Sequence, residues 1–372
     1  MKNKLLKFLI ITLFALFTTN SANADFSFSD IELRFAQFSD THITDSNDTT
    51  YKALSQSKKL LNAAIEDVNK FKGLDFVVFT GDMVNEPKKE YYKDFLTALT
   101  QINHTPLLVL GNHDATKESK ENDYLTKDEI IDIIKKSNPY QQYDTPYFAF
   151  SPNDSFRVII LDTTMGYEFT SNGFIDDVQL QFLDDELTKY QDKVVLIFQH
   201  HPVIEPFKSN HHKLLNANAY FEILKKHPLT PIAIFSGHYH AANVVKENNV
   251  VHFSTPSLVT YPNAFRTVLV TNYKDRVIFN YRLHETRYKK IQEKCKSSLI
   301  ASQLFDGTSN DRSGEIMIRK GVSIKQKEIY KEVKEQEKAY KEAEKEAKEN
   351  TKKAQDAVEK EIMELQELME KR

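Results

Sequence analysis

Five short apolar runs in this chain are each followed, within four residues, by Asp, Asn or His. They are residues 34–38 (RFAQF), 76–80 (FVVFT), 107–110 (LLVL), 194–198 (VVLIF) and 231–235 (PIAIF). Apolar runs without alternation suit strands covered on both faces. Amphipathic stretches at residues 51–69, 88–100, 126–136, 177–190 and 217–226 predict helices between and around them. Residues 266–271 and 276–281 flank Asn272-Tyr273-Lys274-Asp275 and predict an antiparallel hairpin. The alternation predicts an α/β (α+β) domain with mixed sheets.

The residues after each run carry the chemistry. They are Asp40 and His42, then Gly81-Asp82, then Gly111-Asn112-His113-Asp114, then His200-His201, then Gly237-His238-Tyr239-His240. Ligand sites in open α/β sheets lie at the carboxyl ends of strands, so these clusters are expected to converge on one edge. Carboxylate and imidazole together bind Zn, Fe, Mn and similar ions. In an Asp-x-His or His-x-His pair, residues two apart share a strand face and can turn to one ion. Glycines 81, 111 and 237 stand where the chain must turn and pack closely. Any one of these polar residues alone reads as a turn cap; five strand-end clusters together read as a metal site. Side-chain alternation lets only one of His200 and His201 face the site. Asp162, after the strand-like residues 158–161, reads as a structural cap, and Tyr239 as a packing residue. His211 and His212 fall in a loop, either solvated or touching substrate.

This ordered set resembles the calcineurin-like metallophosphoesterases, whose pattern runs D-x-H, G-D, G-N-H-[DE], H and G-H-x-H. The match extends over about residues 34–255. The wording FSDTH and HHP is similar to the bacterial class III cyclic-nucleotide phosphodiesterase branch. The resemblance implies a four-layer αββα sandwich and two divalent metal ions, Fe, Mn or Zn. It assigns Asp40, His42 and His240 to one ion, Asn112, His200 and His238 to the other, and Asp82 to a bridge between them. It selects His200 over His201. It implies hydrolysis of phosphomonoesters or phosphodiesters by a metal-bridging hydroxide. His113 would stand by the leaving group, oriented by a hydrogen bond that its ring donates to Asp114.

The ends of the chain read differently. Lys2, Lys4 and Lys7, the apolar residues 8–17 and Ala22-Asn23-Ala24 form a secretory leader, with cleavage expected after Ala24. The apolar run is shorter than the ~20 residues that span a bilayer, so no membrane anchor is expected after cleavage, and a secreted or periplasmic protein is. A single cysteine, Cys295, excludes an internal disulfide. The net charge of −3 gives no basic surface for nucleic acid. The domain is expected over residues 25–296, with a linker or loop at 297–323. Residues 324–372 are Lys/Glu-rich and predict a long helix. In it Ile329, Val333, Gln336, Tyr340 and Ala343 recur at four- and three-residue steps. Such a seam fits either self-association as a coiled coil or a solvated helix with ion pairs such as Glu337/Lys341.

Two function classes follow. One is a phosphoesterase using the residues above, with hydrolysis of a non-phosphate substrate by the same ions as a variant. The other is a scaffold on a phosphoesterase fold, acting through its helical tail. Retention of the whole ligand pattern favours the enzyme.

Overall fold

The structure, a computed structural model, describes residues 31–115, 123–165, 170–298 and 301–321, except the side chains of 301 and 302. The leader and the segment 324–372 lie outside the described residues, as do the expectations that fall on them. Twelve strands form two six-stranded mixed sheets. In the first, β1 (Ile31–Phe38), β2 (Phe76–Thr80) and β3 (Pro106–Val109) are parallel. It is completed by antiparallel β10 (Ala264–Asn272), β11 (Arg276–Glu285) and β12 (Ser313–Arg319). In the second, β5 (Phe156–Ile160), β6 (Val194–Phe198), β7 (Ile232–Ser236) and β9 (Val250–Ser254) are parallel. Antiparallel β4 (Phe148–Asn153) and β8 (Asn243–Glu247) close its edges.

Strand alternation builds the layers. Leu33 and Phe35 of β1 face inward, with Phe76, Val78, Phe198 and Phe235 in a core between the sheets. Their alternates Ala36 and Phe38 face outward. There they meet helices α1 (Ser57–Val68), α2 (Lys89–Leu99) and α3 (Lys127–Ser137). The opposite sheet turns Ile159, Val195, Ile197 and Ile234 towards α4 (Asp177–Lys189) and α5 (Ala217–Lys226). Three apolar seams therefore separate four layers, the expected αββα sandwich. Burial on both faces explains why these strands lack polar alternation.

Register brings the site together. Phe38 pairs with Phe79, and Phe198 with Phe235, so neighbouring strands of each sheet end level. Buried Gln37 ties the sheets across their carboxyl ends. Its Nε2 donates to Thr80 Oγ1 and to the Ser236 carbonyl, each at 3.0 Å, while its Oε1 accepts from Thr255 Oγ1 at 2.6 Å.

Two expectations need correction. Residues 297–323 are no mere linker: Ser309–Arg312 forms a helical turn capped by Thr308, and β12 pairs with β11 over seven positions. Gly, Asn and Ser before it hid a strand whose buried residue, Ile318, packs into the inter-sheet core. The helix expected from residue 51 begins at Ser57 after a short 3₁₀ turn, Leu54–Gln56. Before that turn, Lys52 forms a bridge to Thr260. Among the described residues, no helix is long and apolar enough to cross a membrane.

Candidate metal centre

The strand-end residues converge as expected. Asp40, His42 and His240 offer ligand atoms within 4.8 Å of one another, and Asp40, Asp82 and His200 do likewise. Asp40 Oδ1 lies 3.2 Å from His240 Nε2 and 3.9 Å from His42 Nε2. On the other side, His200 Nε2 lies 3.2 Å from Asn112 Oδ1 and 3.1 Å from His238 Nδ1. Between them sits one oxygen: Asp82 Oδ2 is 3.8 Å from His42 Nε2 and 3.4 Å from His200 Nε2.

The backbone reaches this arrangement beyond the strands. Asp40, His42, Asp82, His238 and His240 all have positive φ, between 44° and 68°. Eight non-glycine residues in the described structure do so, and five of them belong to this cluster. Left-handed backbone costs roughly 1–2 kcal/mol per residue, and strain concentrated at one place marks a functional site. The ladder runs on past the strands to hold these turns: Asp40 N donates to Gly81 O, and His42 N to Asp82 O, each at 3.0 Å. Gly81 has φ +88°, and a Cβ there would collide with the His200 ring. A Cβ on Gly111 would collide with Asp82.

Hydrogen bonds aim the rings. His200 Nδ1 lies 2.8 Å from the Thr80 carbonyl, which can only accept, so Nε2 keeps its lone pair when neutral. Asp40 Oδ2 accepts from Ser39 Oγ and from the His238 N–H, leaving Oδ1 buried without a partner. Such an oxygen is costly unless a cation meets it. Burial, then the Lys52 charge, holds His42 well below the usual imidazole value. Burial, then the neighbouring His201 and His200, does the same to His238. Burial also lowers His240 against the pull of Asp40. Burial opposes charge on His200, but Asp82 outweighs it and lifts the ring to about 9. Burial would raise Asp82, and His200 and His113 reverse that to well below the usual carboxylate value. Three imidazoles held neutral, those of His42, His238 and His240, stand with the ionised Asp82 and with His200, whose Nε2 proton a cation would displace, and this donor set fits divalent metal.

The remaining predicted residues divide. His113 is half-buried at the rim, with Nε2 4.0 Å from Asp82 Oδ2. Its Nδ1 lies 2.7 Å from the Asn85 carbonyl. Asp114 does not orient it. The Asp114 carboxylate instead accepts from the Gly111 N–H at 2.8 Å and the Val84 N–H at 3.1 Å, bracing the loop that carries Asn112. One backbone donor meets each oxygen of that carboxylate, where the resemblance implied an imidazole. Burial and the Asp82 charge push Asp114 up to about 8.

His201 turns to the wall against Gly173, with Nδ1 2.7 Å from Thr163 Oγ1, yet its ring stays 4.2 Å from that of His238. Tyr239 packs with Phe207 and Leu54, as expected. Asp162 is the cap expected, accepting from Thr164 N and Oγ1, and it also pairs with Lys127. His212 sits at the rim, its ring 5.6 Å from that of His238.

Sequence reading missed Lys52. Its Nζ lies 3.5 Å from His42 Nε2. Burial lowers its amino group while Asp82 and Asp40 raise it. Its assignment to a helix concealed it.

The fold and the buried Asp/His/Asn cluster at its sheet edge define a metal-dependent phosphoester hydrolase. The chain belongs to the calcineurin-like phosphoesterase family, whose model matches residues 33–242. An Arcobacter nitrofigilis protein named "Probable glycerophosphodiester phosphodiesterase GpdQ" is 25% identical over 229 residues, covering 59% of this chain and 77% of that protein. A Xenorhabdus bovienii protein named "Probable cyclic nucleotide phosphodiesterase" is 26% identical over 199 residues, covering 52% and 73%. The crystal structure of a dimetal phosphatase from Danio rerio shares the fold, with a TM-score of 0.53 at 18% identity, covering 66% of this chain and 95% of that one.

Proposed function

We propose that this protein is an exported hydrolase that cleaves phosphodiesters or phosphomonoesters at a centre of two divalent ions, Fe, Mn or Zn. The observation that carries the reading is the position of Asp82 Oδ2, within 3.8 Å of His42 and 3.4 Å of His200. Asp40, His42 and His240 would hold one ion and Asn112, His200 and His238 the other, with Asp82 standing between the two sets. Two such ions supply Lewis-acid polarisation of the phosphoryl oxygens and an activated water at neutral pH.

The chain's own groups do the rest. His113 gives Nδ1–H to Asn85, so Nε2 is the atom that exchanges a proton at the rim. It stands by the leaving oxygen as acid. Asp114 acts on the Asn112 loop and not on the proton. The names of the two relatives both specify diesters, which supports a diester substrate. Export rests on the leader with cleavage after Ala24, and self-association on the heptad-like tail. The scaffold alternative leaves the strained, buried donor set without a purpose.

The test is a panel of aryl phosphomonoesters and phosphodiesters, with peptide and acyl esters beside them. It uses mature protein loaded with Mn, Fe or Zn. Metal-loaded protein that turns over no phosphoester would falsify the proposal. Retention of the product inside the cytoplasm of an expressing cell would remove the export part alone.

A further inference from the structure

Lys52 belongs to no family motif, yet its ammonium points into the metal centre. Nζ lies 3.5 Å from His42 Nε2 and within electrostatic reach of Asp40, Asp82, His240 and His212. Among the described residues it forms no salt bridge, whereas most lysines with contacts here pair with an Asp or Glu. A half-buried ammonium without a carboxylate partner is costly to hold.

The backbone holds it there firmly. Lys52 N donates to Thr49 Oγ1, Thr49 N donates back to the Lys52 carbonyl, and Ala53 N donates to Val259 O. Asp48, just upstream, accepts from Ser55 N and from Lys294 Nζ. The segment is therefore tied to residues 257–260, which also fix Asp40 through Ser257 Oγ and its carbonyl. The amino group and the cluster share one support, which is the arrangement a preorganised binding group needs.

Charge decides what the ammonium is for. The donor set contains only two carboxylates, Asp40 and Asp82, and these face both metal positions. With divalent ions bound, neither their charge nor the His42 lone pair is left for Lys52. The mouth then has an excess of positive charge that only an anionic ligand offsets.

We propose that Lys52 is a substrate-binding residue that grips a non-bridging oxygen of the phosphoryl group. The inference rests on the phosphoesterase reading above. Lysine serves phosphate as a point charge with three donors, adaptable to a monoester or a diester.

The experiment uses full-length mature enzyme loaded with Mn, in wild-type form and as Lys52→Met, Lys52→Gln and Lys52→Arg. It measures KM and kcat for aryl phosphate esters, inhibition by inorganic phosphate, metal content and melting temperature. Lys52→Met or, if that variant folds poorly, Lys52→Gln is expected to raise both KM and the phosphate inhibition constant about tenfold, a loss of about 1.4 kcal/mol. Metal content stays at the wild-type value, and Lys52→Arg recovers most of the phosphate affinity. Unchanged KM and phosphate inhibition in an active, metal-replete Lys52→Met enzyme overturn the inference alone. So does loss of metal with phosphate inhibition intact, because Lys52 then supports the metal. A wild-type enzyme that turns over no phosphoester removes the phosphoesterase reading and this inference with it.

Discussion

The ring Nδ1 of His113 donates to the carbonyl oxygen of Asn85 across 2.7 Å. A backbone carbonyl thus fixes the tautomer, and the neighbouring carboxylate of Asp114 has other work. The two residues should therefore fail differently. His113→Ala is expected to lower kcat by about 10²–10⁴ with metal content retained. Asp114→Asn keeps one acceptor and turns an NH₂ towards the Gly111 or Val84 N–H, which costs about 1–3 kcal/mol. Its melting temperature should fall, while kcat of the folded enzyme stays within a few-fold. Should Asp114→Asn match His113→Ala in kcat at an unchanged melting temperature, the carboxylate acts on the imidazole after all.

Metal should also be part of the fold's stability. Cations that bind only the folded cluster stabilise it by about 2.7 kcal/mol at a hundredfold excess over Kd. They also relieve the buried, unpartnered Asp40 Oδ1. Chelation of the wild type is expected to lower the melting temperature, and added Mn or Zn to restore it. Asp82→Asn, which weakens the group between the two ligand sets, should lose bound metal and most of that chelator response. A wild type whose melting ignores chelator, together with a fully metallated Asp82→Asn, would show that the cluster is not a metal centre.

Gln37 offers a test of how the two sheets are aligned. Its amide joins Thr80 and Ser236, which end the strands that lead to Asp82 and His238, to Thr255 just past β9. Gln37→Leu leaves the Ser236 carbonyl and Thr255 Oγ1 short of partners, a loss of about 2–3 kcal/mol. A lower urea midpoint with weaker metal affinity is expected. A variant as stable and as metal-avid as wild type would mean that the inter-sheet aromatic core suffices to set the alignment.

Most of the site was legible because its donors directly follow buried strands. Phe79 before Gly81-Asp82 and Phe235 before Gly237-His238 lie in strands buried along their whole length, as does Phe198 before His200. Asp40 and His42 do come together, but the shared strand face invoked for them is not what the backbone uses. Both residues lie past the strand in left-handed conformation, and a one-dimensional period carries no sign of φ. The partner of His113 was illegible for a related reason. The Asn85 carbonyl is backbone, and any residue at that position would present it. Lys52 was hidden because amphipathic spacing from residue 51 onward extended the helix over it, although Ser46, Asp48 and Thr49 mark a polar turn there. Ile316 and Ile318 of β12 were discounted because Gly, Ser and Asn precede them, yet pairing with β11 overrides that local preference.

His252 carries the last prediction, away from the metal centre. It sits in β9 between Ile234 and Val245, nearly fully buried, and neither ring nitrogen has a hydrogen-bond partner among the described residues. Burial pushes its pKa down to about 4 from the ordinary 6.5. The folded state therefore resists a proton that the unfolded state accepts. Stability is fully present above pH 6.5, is lost as the pH falls towards 4, and levels off below that. The loss amounts to about 3 kcal/mol. His252→Leu removes the proton acceptor from an apolar site, so its urea midpoint should fall less than that of wild type between pH 7 and pH 4. Comparing the two proteins at each pH cancels the other titrating groups. Parallel midpoints across that range would mean that His252 gains a partner or opens to water on protonation, and that its burial does not govern the acid response.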